Sequence, residues 1–172
     1  MLWMKLFWGV LWIGVSGYAQ EFANQKSLFQ KVVGEELQSS VVFMPFGTHT
    51  RNLDFYGVWY TAVNFKSVEL TYFKNSFGDP TVGIMYKRSW NLTKKFAVNY
   101  GLGVIYGYHG RLKDVKGIPF RDTFLIKNEI NPVVGFAFDY KLIGKVSVCA
   151  TVAPNILVYG FRYVFNKRKR SF

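Results

Sequence analysis

The stretch 95–109, KFAVNYGLGVIYGYH, decides the fold. From Phe96 it alternates with a period of two. Phe96, Val98, Tyr100, Leu102, Val104, Tyr106 and Tyr108 fall on one face, and Ala97, Asn99, Gly101, Gly103, Ile105, Gly107 and His109 on the other. Successive side chains of a strand point to opposite faces. This stretch is therefore read as a strand with one large apolar and aromatic face and one small or polar face. The first suits hydrocarbon and the second does not. A soluble lipocalin-like barrel needs the reverse, apolar inside and charges outside. Tyrosine and phenylalanine gathered near strand ends favour the aromatic girdles of a membrane barrel.

Working outward, the same period recurs. Val146, Val148, Ala150 and Val152 alternate with Lys145, Ser147, Cys149 and Thr151; Leu157, Tyr159, Phe161, Tyr163 and Phe165 alternate with Val158, Gly160, Arg162 and Val164. Val68, Leu70 and Tyr72 alternate with Ser67, Glu69, Thr71 and Phe73. Eight strand candidates follow, at 40–49, 55–63, 66–75, 81–90, 95–109, 130–140, 144–153 and 156–165, the first two ambiguous on both faces. Most approach the roughly 9–11 residues that cross a bilayer at a tilt, and eight is the smallest common transmembrane barrel. The expected fold is all-β, an eight-stranded antiparallel transmembrane barrel after a short amphipathic helix.

Loop lengths orient it. With both termini on one side, connections 50–54, 76–80, 110–129 and 154–155 share one rim, which holds the single long loop; turns near 64–65, 91–94 and 141–143 share the other. Long loops outside and short turns inside are the outer-membrane pattern.

Composition agrees. Of 172 residues, 50% are hydrophobic and 19% aromatic, yet mean hydropathy is only +0.08. Residues 1–19 read as a signal peptide: Lys5 is the positive n-region, 6–15 the apolar h-region, and Gly17 and Ala19 occupy the −3 and −1 positions. Residues 20–38 have helical spacing fit for a membrane interface, 39–165 form the barrel, and 166–172 (NKRKRSF) is a basic tail. The lone Cys149 is a packing residue. Net charge is +12, and loss of Lys5 with the leader leaves +11. Export argues against nucleic acid and for anionic lipid as the acidic partner of a monomer in the bacterial outer membrane. No metal-ligand cluster, phosphate loop or dinucleotide fingerprint calls for a cofactor.

The two histidines, His49 and His109, and Ser76 all end strands on the long-loop rim, where histidine beside a hydroxyl suits acyl transfer. Phe73-Lys-Asn-Ser-Phe77 is similar to the F-K-D-S-W segment of PagP-type lipid A palmitoyltransferases. His49, within Pro45-Phe-Gly-Thr-His-Thr-Arg51, ends the first strand as that family's histidine does. Tyr100-Gly-Leu-Gly103 and Ala153-Pro154 are similar as well. Asn75 departs from the family, standing where it has aspartate; Asp79 and Asp54 are the candidate substitutes.

The resemblance implies transfer of a palmitoyl-like chain from a phospholipid to lipid A, without a cofactor. It implies His49, Asn75 and Ser76 as catalytic, and Arg51, Lys74 and Arg111 (with Lys113) as holders of lipid A phosphates. Gly101 and Gly103 would leave room for an acyl chain inside the barrel, or simply let a tight interior pack. Pro132 and Pro154 would flank a lateral gap that admits lipid, since proline donates no ladder hydrogen bond. Inward Glu69, Lys87, Asp139 and Arg162 are expected to pair toward the short-turn end. Two other functions fit less well. A lipid A deacylase resembles an H-x-S pattern, whereas here His49 and His109 are each followed two residues on by arginine. A non-catalytic structural or adhesion barrel is supported by Asn75.

Overall fold

The computed structural model describes residues 28–49, 57–114, 118, 120, 122–153 and 156–165. The expected leader, Arg51, Asp54, Pro154 and the basic tail lie outside the described residues. The chain divides into two units, Met1–Val33 and Gly34–Phe172.

In the first unit, helix α1 spans Leu28–Val33 and exposes Leu28 and Val32. Helical spacing was expected to run to residue 38, but the helix stops at Val33. Gly34 adopts φ 82°, the left-handed conformation that ends helices. The second unit begins at Gly34, and its first strand, β1 (Glu35–Glu36), pairs antiparallel with Ser89 and Arg88 of the same unit. Arg88 donates to the Gly34 carbonyl at 2.6 Å and holds this ribbon in place.

The rest of the second unit is a closed eight-stranded antiparallel barrel. Its strands are β2 (Ser40–His49), β3 (Tyr60–Phe65), β4 (Val68–Lys74), β5 (Pro80–Asn91), β6 (Phe96–Tyr106), β7 (Ile130–Ile143), β8 (Val146–Ala153) and β9 (Ile156–Val164). Each pairs with its sequence neighbour, and β2 pairs with β9 to close the cylinder. Closure pairs the first barrel strand with the last, the arrangement by which strands cross a bilayer. Such a barrel is consistent with an outer-membrane protein. The faces sort as the period-two pattern requires: Leu70, Tyr72, Ile84, Tyr86, Leu102, Tyr106, Val134 and Phe161 lie exposed on the outside.

Strand β2 explains its own ambiguity. It pairs with β9 as Phe43↔Phe161 and then Phe46↔Tyr159, so Met44 and Pro45 together oppose Gly160 in a bulge. The extra residue changes the parity. Ser40, Val42 and Met44 are buried inside the barrel, Phe43 and Phe46 are both exposed, and His49 shares its face with Gly47 rather than with Val41 and Phe43. A Cβ on Gly160 would stand 2.2 Å from the Phe43 carbonyl oxygen, so only glycine fits opposite the bulge.

Toward the short-turn end the interior is polar and paired, as expected. Lys87 Nζ lies 2.5 Å from Glu69 Oε1, and Arg162 Nε lies 3.0 Å from Asp139 Oδ2. Glu69 also accepts from Tyr60 and, at 2.9 Å, from Asn64; Asn99 donates to Asp139 at 2.7 Å. Buried carboxylates are tolerable only when paired and hydrogen-bonded in this way. Above this layer Val42, Met44, Val58, Ala62, Cys149 and Val158 make an apolar core, with Cys149 wholly buried as a packing residue.

Candidate active site

The long-loop rim is built on the ends of β2, β4 and β6. His49 is the last residue of β2, and Ser76 lies just beyond β4. His49 Nε2 stands 2.9 Å from Ser76 Oγ, although 27 residues separate them. Ser76 is buried. With Nε2 unprotonated, the Ser76 hydroxyl donates to it, the geometry by which an imidazole withdraws a hydroxyl proton.

A third group completes the pair, and sequence reasoning missed it. Tyr108 hydrogen-bonds Ser76 through its phenol; burial pushes that phenol up to about 12, an effect the Ser76 contact partly opposes. The unbroken alternation assigned Tyr108 to the bilayer-facing side. Strand β6 in fact ends at Tyr106, and Gly107 at φ 131° breaks the alternation, turning Tyr108 toward Ser76. The glycines at 107 and 110 were the available signal. His109, assigned to the inner face, is exposed in the turn and sits edge-on to Tyr106 at 5.8 Å.

Asn75 is fully buried, and its amide is committed to the chain. Nδ2 donates to Thr81 Oγ1 at 3.1 Å and to the Gly107 carbonyl at 3.0 Å. Oδ1 accepts from the amides of Phe77 at 2.9 Å and Asp79 at 3.1 Å. Two donors and two acceptors exhaust the group. Asn75 thus folds the β4–β5 loop and ties it to the end of β6; neither N–H is left for an oxyanion. A carboxylate here would place an acceptor against the Gly107 carbonyl, which accounts physically for asparagine.

Asp79, one candidate replacement acid, is held by Arg111 in an ion pair. The Arg111 guanidinium also lies 4.7 Å from the Phe77 ring centroid, so this expected phosphate holder is half-exposed and already engaged. Lys74 is half-buried at the end of β4, one residue from Asn75. The long loop folds back over the rim. Arg111–Asp114 forms a 3-10 turn and α2 spans Phe124–Lys127. Leu112 and Ile126 are buried against Phe77, Tyr108 and Ile118. Asn131 anchors α2, its amide donating to the carbonyls of Leu125, Ile126 and Asn128.

The inner glycines divide. A Cβ on Gly103 would meet the Ile84 carbonyl oxygen at 2.2 Å, and one on Gly101 would meet Lys87 Cγ at 2.8 Å. These two positions serve close packing and leave no space for a hydrocarbon tail. Gly135 differs, with only Met85 Cε within reach, at 4.0 Å. Pro132 points outward, paired with Val104. The β7–β8 ladder starts at Phe136↔Val152, so among the described residues Ile130 to Gly135 have no partner on β8. Among the described residues no cluster of histidine, cysteine and carboxylates is arranged to hold a metal.

Fold and site together define a small closed antiparallel barrel with a histidine–serine–tyrosine chain at one mouth. No protein-family model, no curated protein and no solved structure matches this chain.

Proposed function

We propose that the chain is an outer-membrane acyltransferase that moves a fatty acyl chain from a phospholipid to lipid A. The observation that carries this reading is the 2.9 Å approach of His49 Nε2 to the buried Ser76 hydroxyl on a neighbouring loop. Ser76 Oγ attacks the phospholipid ester carbonyl as its proton passes to His49. Collapse breaks the ester C–O bond, and the lysophospholipid leaves with the proton from His49. A lipid A hydroxyl then attacks the acyl-serine, again surrendering its proton to His49, and Ser76 is regenerated. The Tyr108 phenol, which contacts Ser76, takes the polar role beside it that Asn75 cannot fill. The acyl chain enters where Ile130 to Gly135 lack a β8 partner, with Pro132 on that edge, and runs past Gly135 rather than Gly101 and Gly103. Lys74, Lys113 and Arg51 hold lipid A phosphates at the rim, joined by Arg111 when phosphate competes with Asp79.

Resemblance to PagP-type enzymes supports this in layout, and export by the leader would deliver the chain to that membrane. The test is incubation of the detergent-purified protein with labelled phospholipid and lipid A. Acyl gain by lipid A, lost in both His49→Ala and Ser76→Ala while the barrel stays heat-modifiable, is the expected result. Acyl loss from lipid A would mean a deacylase. No change in either lipid would leave a non-catalytic barrel.

A further inference from the structure

Among the described residues the two rims differ in charge. At the long-loop rim the described residues Lys74, Arg111, Lys113 and Lys127 are matched in number by Asp79, Asp114, Asp122 and Glu129. At the short-turn rim every hairpin carries lysine: Lys66 between β3 and β4, Lys94 and Lys95 between β5 and β6, and Lys141 and Lys145 around the β7–β8 turn. Glu35 and Glu36 are the only described acids outside the barrel at this rim, and both lie along β5, with Glu36 opposite Arg88. The lumen acids Glu69 and Asp139 are already bound to Lys87 and Arg162. Among the described residues none of the five lysines forms an ion pair.

Each lysine turn also borders exposed apolar side chains. Phe65 and Val68 flank Lys66, Leu92 precedes Lys94, Leu142 and Ile143 follow Lys141, and Phe165 lies beside Lys145. Lys145 stands 5.9 Å from the Tyr163 ring, its stem along the barrel wall. An ammonium layer next to an exposed apolar band has the order of a phospholipid: chains on the band, phosphate at the lysines.

We infer that the short-turn rim is a binding ring for anionic glycerophospholipid of the leaflet it faces, independent of acyl transfer at the other mouth. Five lysines without an ion pair among the described residues, spread over three turns, select a negative headgroup over a zwitterionic one. The ring holds the barrel at a fixed depth and biases which end faces that leaflet.

Native mass spectrometry of the full chain in detergent, titrated with phosphatidylglycerol or phosphatidylcholine of identical chains, reads this directly. Phosphatidylglycerol is expected to be retained with a preference of about fivefold or more, the scale of one lysine–headgroup contact. The preference should fall to near parity at high salt and in the variant K66Q/K94Q/K95Q/K141Q/K145Q, and persist in K127Q. Equal retention of both lipids by the parent chain would overturn the inference. So would a preference that survives the fivefold substitution or disappears in K127Q. Should the fivefold variant not fold, K66Q, K94Q/K95Q and K141Q/K145Q are measured separately. Each should lower the preference in part, and no change in all three would overturn the inference equally.

Discussion

Pro45 sets the direction of His49. The two are four residues apart on one strand, and a regular strand would put His49 on the same face as Phe43 and Val41. The bulge at Met44 and Pro45 inserts one residue opposite Gly160 and brings His49 inside, within 2.9 Å of Ser76 Oγ. Deleting Pro45 restores plain alternation and points His49 at the bilayer. Transfer activity should drop to the level of His49→Ala, while the barrel still forms. Activity within a few-fold of the parent would show that the bulge does not aim the histidine. Gly160→Ala attacks the same feature from the partner strand. It forces overlap with the Phe43 carbonyl and should cost about 1–3 kcal/mol in denaturant unfolding.

The Asn75 amide gives an experiment that runs against intuition. Restoring the aspartate of the resembled family should not raise activity. Asn75→Asp removes the donors to Thr81 and Gly107 and sets a carboxylate beside a carbonyl. Leaving such buried partners unmet costs about 1–3 kcal/mol. Lower stability, faster proteolysis of the 75–79 loop and reduced transfer are expected together. A more active N75D with unchanged protection of the loop would assign residue 75 to the chemistry instead.

How far the sequence was legible follows from where the alternation is unbroken. Strands β4, β6, β8 and β9 keep period two over their length, and their faces and ends were read within a few residues. Strand β2 resisted because a bulge changes parity without changing composition. Tyr108 was assigned to the outer face because one glycine conformation, at Gly107, rotates the chain just past the strand. The meeting of residues 49 and 76 was legible, since β2 and β4 both end at one rim with only β3 between them. The inner glycines were only half legible. Sequence marks them as small, but the distance to Met85 and Ile84 decides that Gly101 and Gly103 fill rather than empty the lumen.

Tyr108 separates a positioning role from a structural one. Tyr108→Phe keeps the ring that packs at 6.2 Å from Phe77 and removes only the phenol. Transfer should fall about tenfold or more, the rate equivalent of about 1.4 kcal/mol. The phenol is raised to about 12 in the fold, above its unfolded value near 10. A raised acid contributes stability that is fully present below the unfolded value and is lost as pH climbs toward the folded one. The parent chain should therefore lose stability between about pH 10 and 12 more steeply than Y108F. Equal activity and superimposable alkaline profiles would remove Tyr108 from the site.

The lumen network makes a last prediction, about stability alone. Glu69 has no exposed surface, and it is shared by Lys87, Tyr60 and Asn64. Lys87→Met leaves that carboxylate buried with Tyr60 and Asn64 but without its cation and should destabilise the barrel by about 3–5 kcal/mol, because a buried charge stripped of its counter-charge is costly. Glu69→Gln alone strands the ammonium and should cost a similar amount. Joining the two removes both charges, so the double variant should recover much of the loss instead of summing the single effects. Unfolding in urea from a fixed detergent or bilayer measures all three. Additive losses would mean that the pair does not act as a unit and that the layer is held by its neighbours, Arg162 and Asp139, alone.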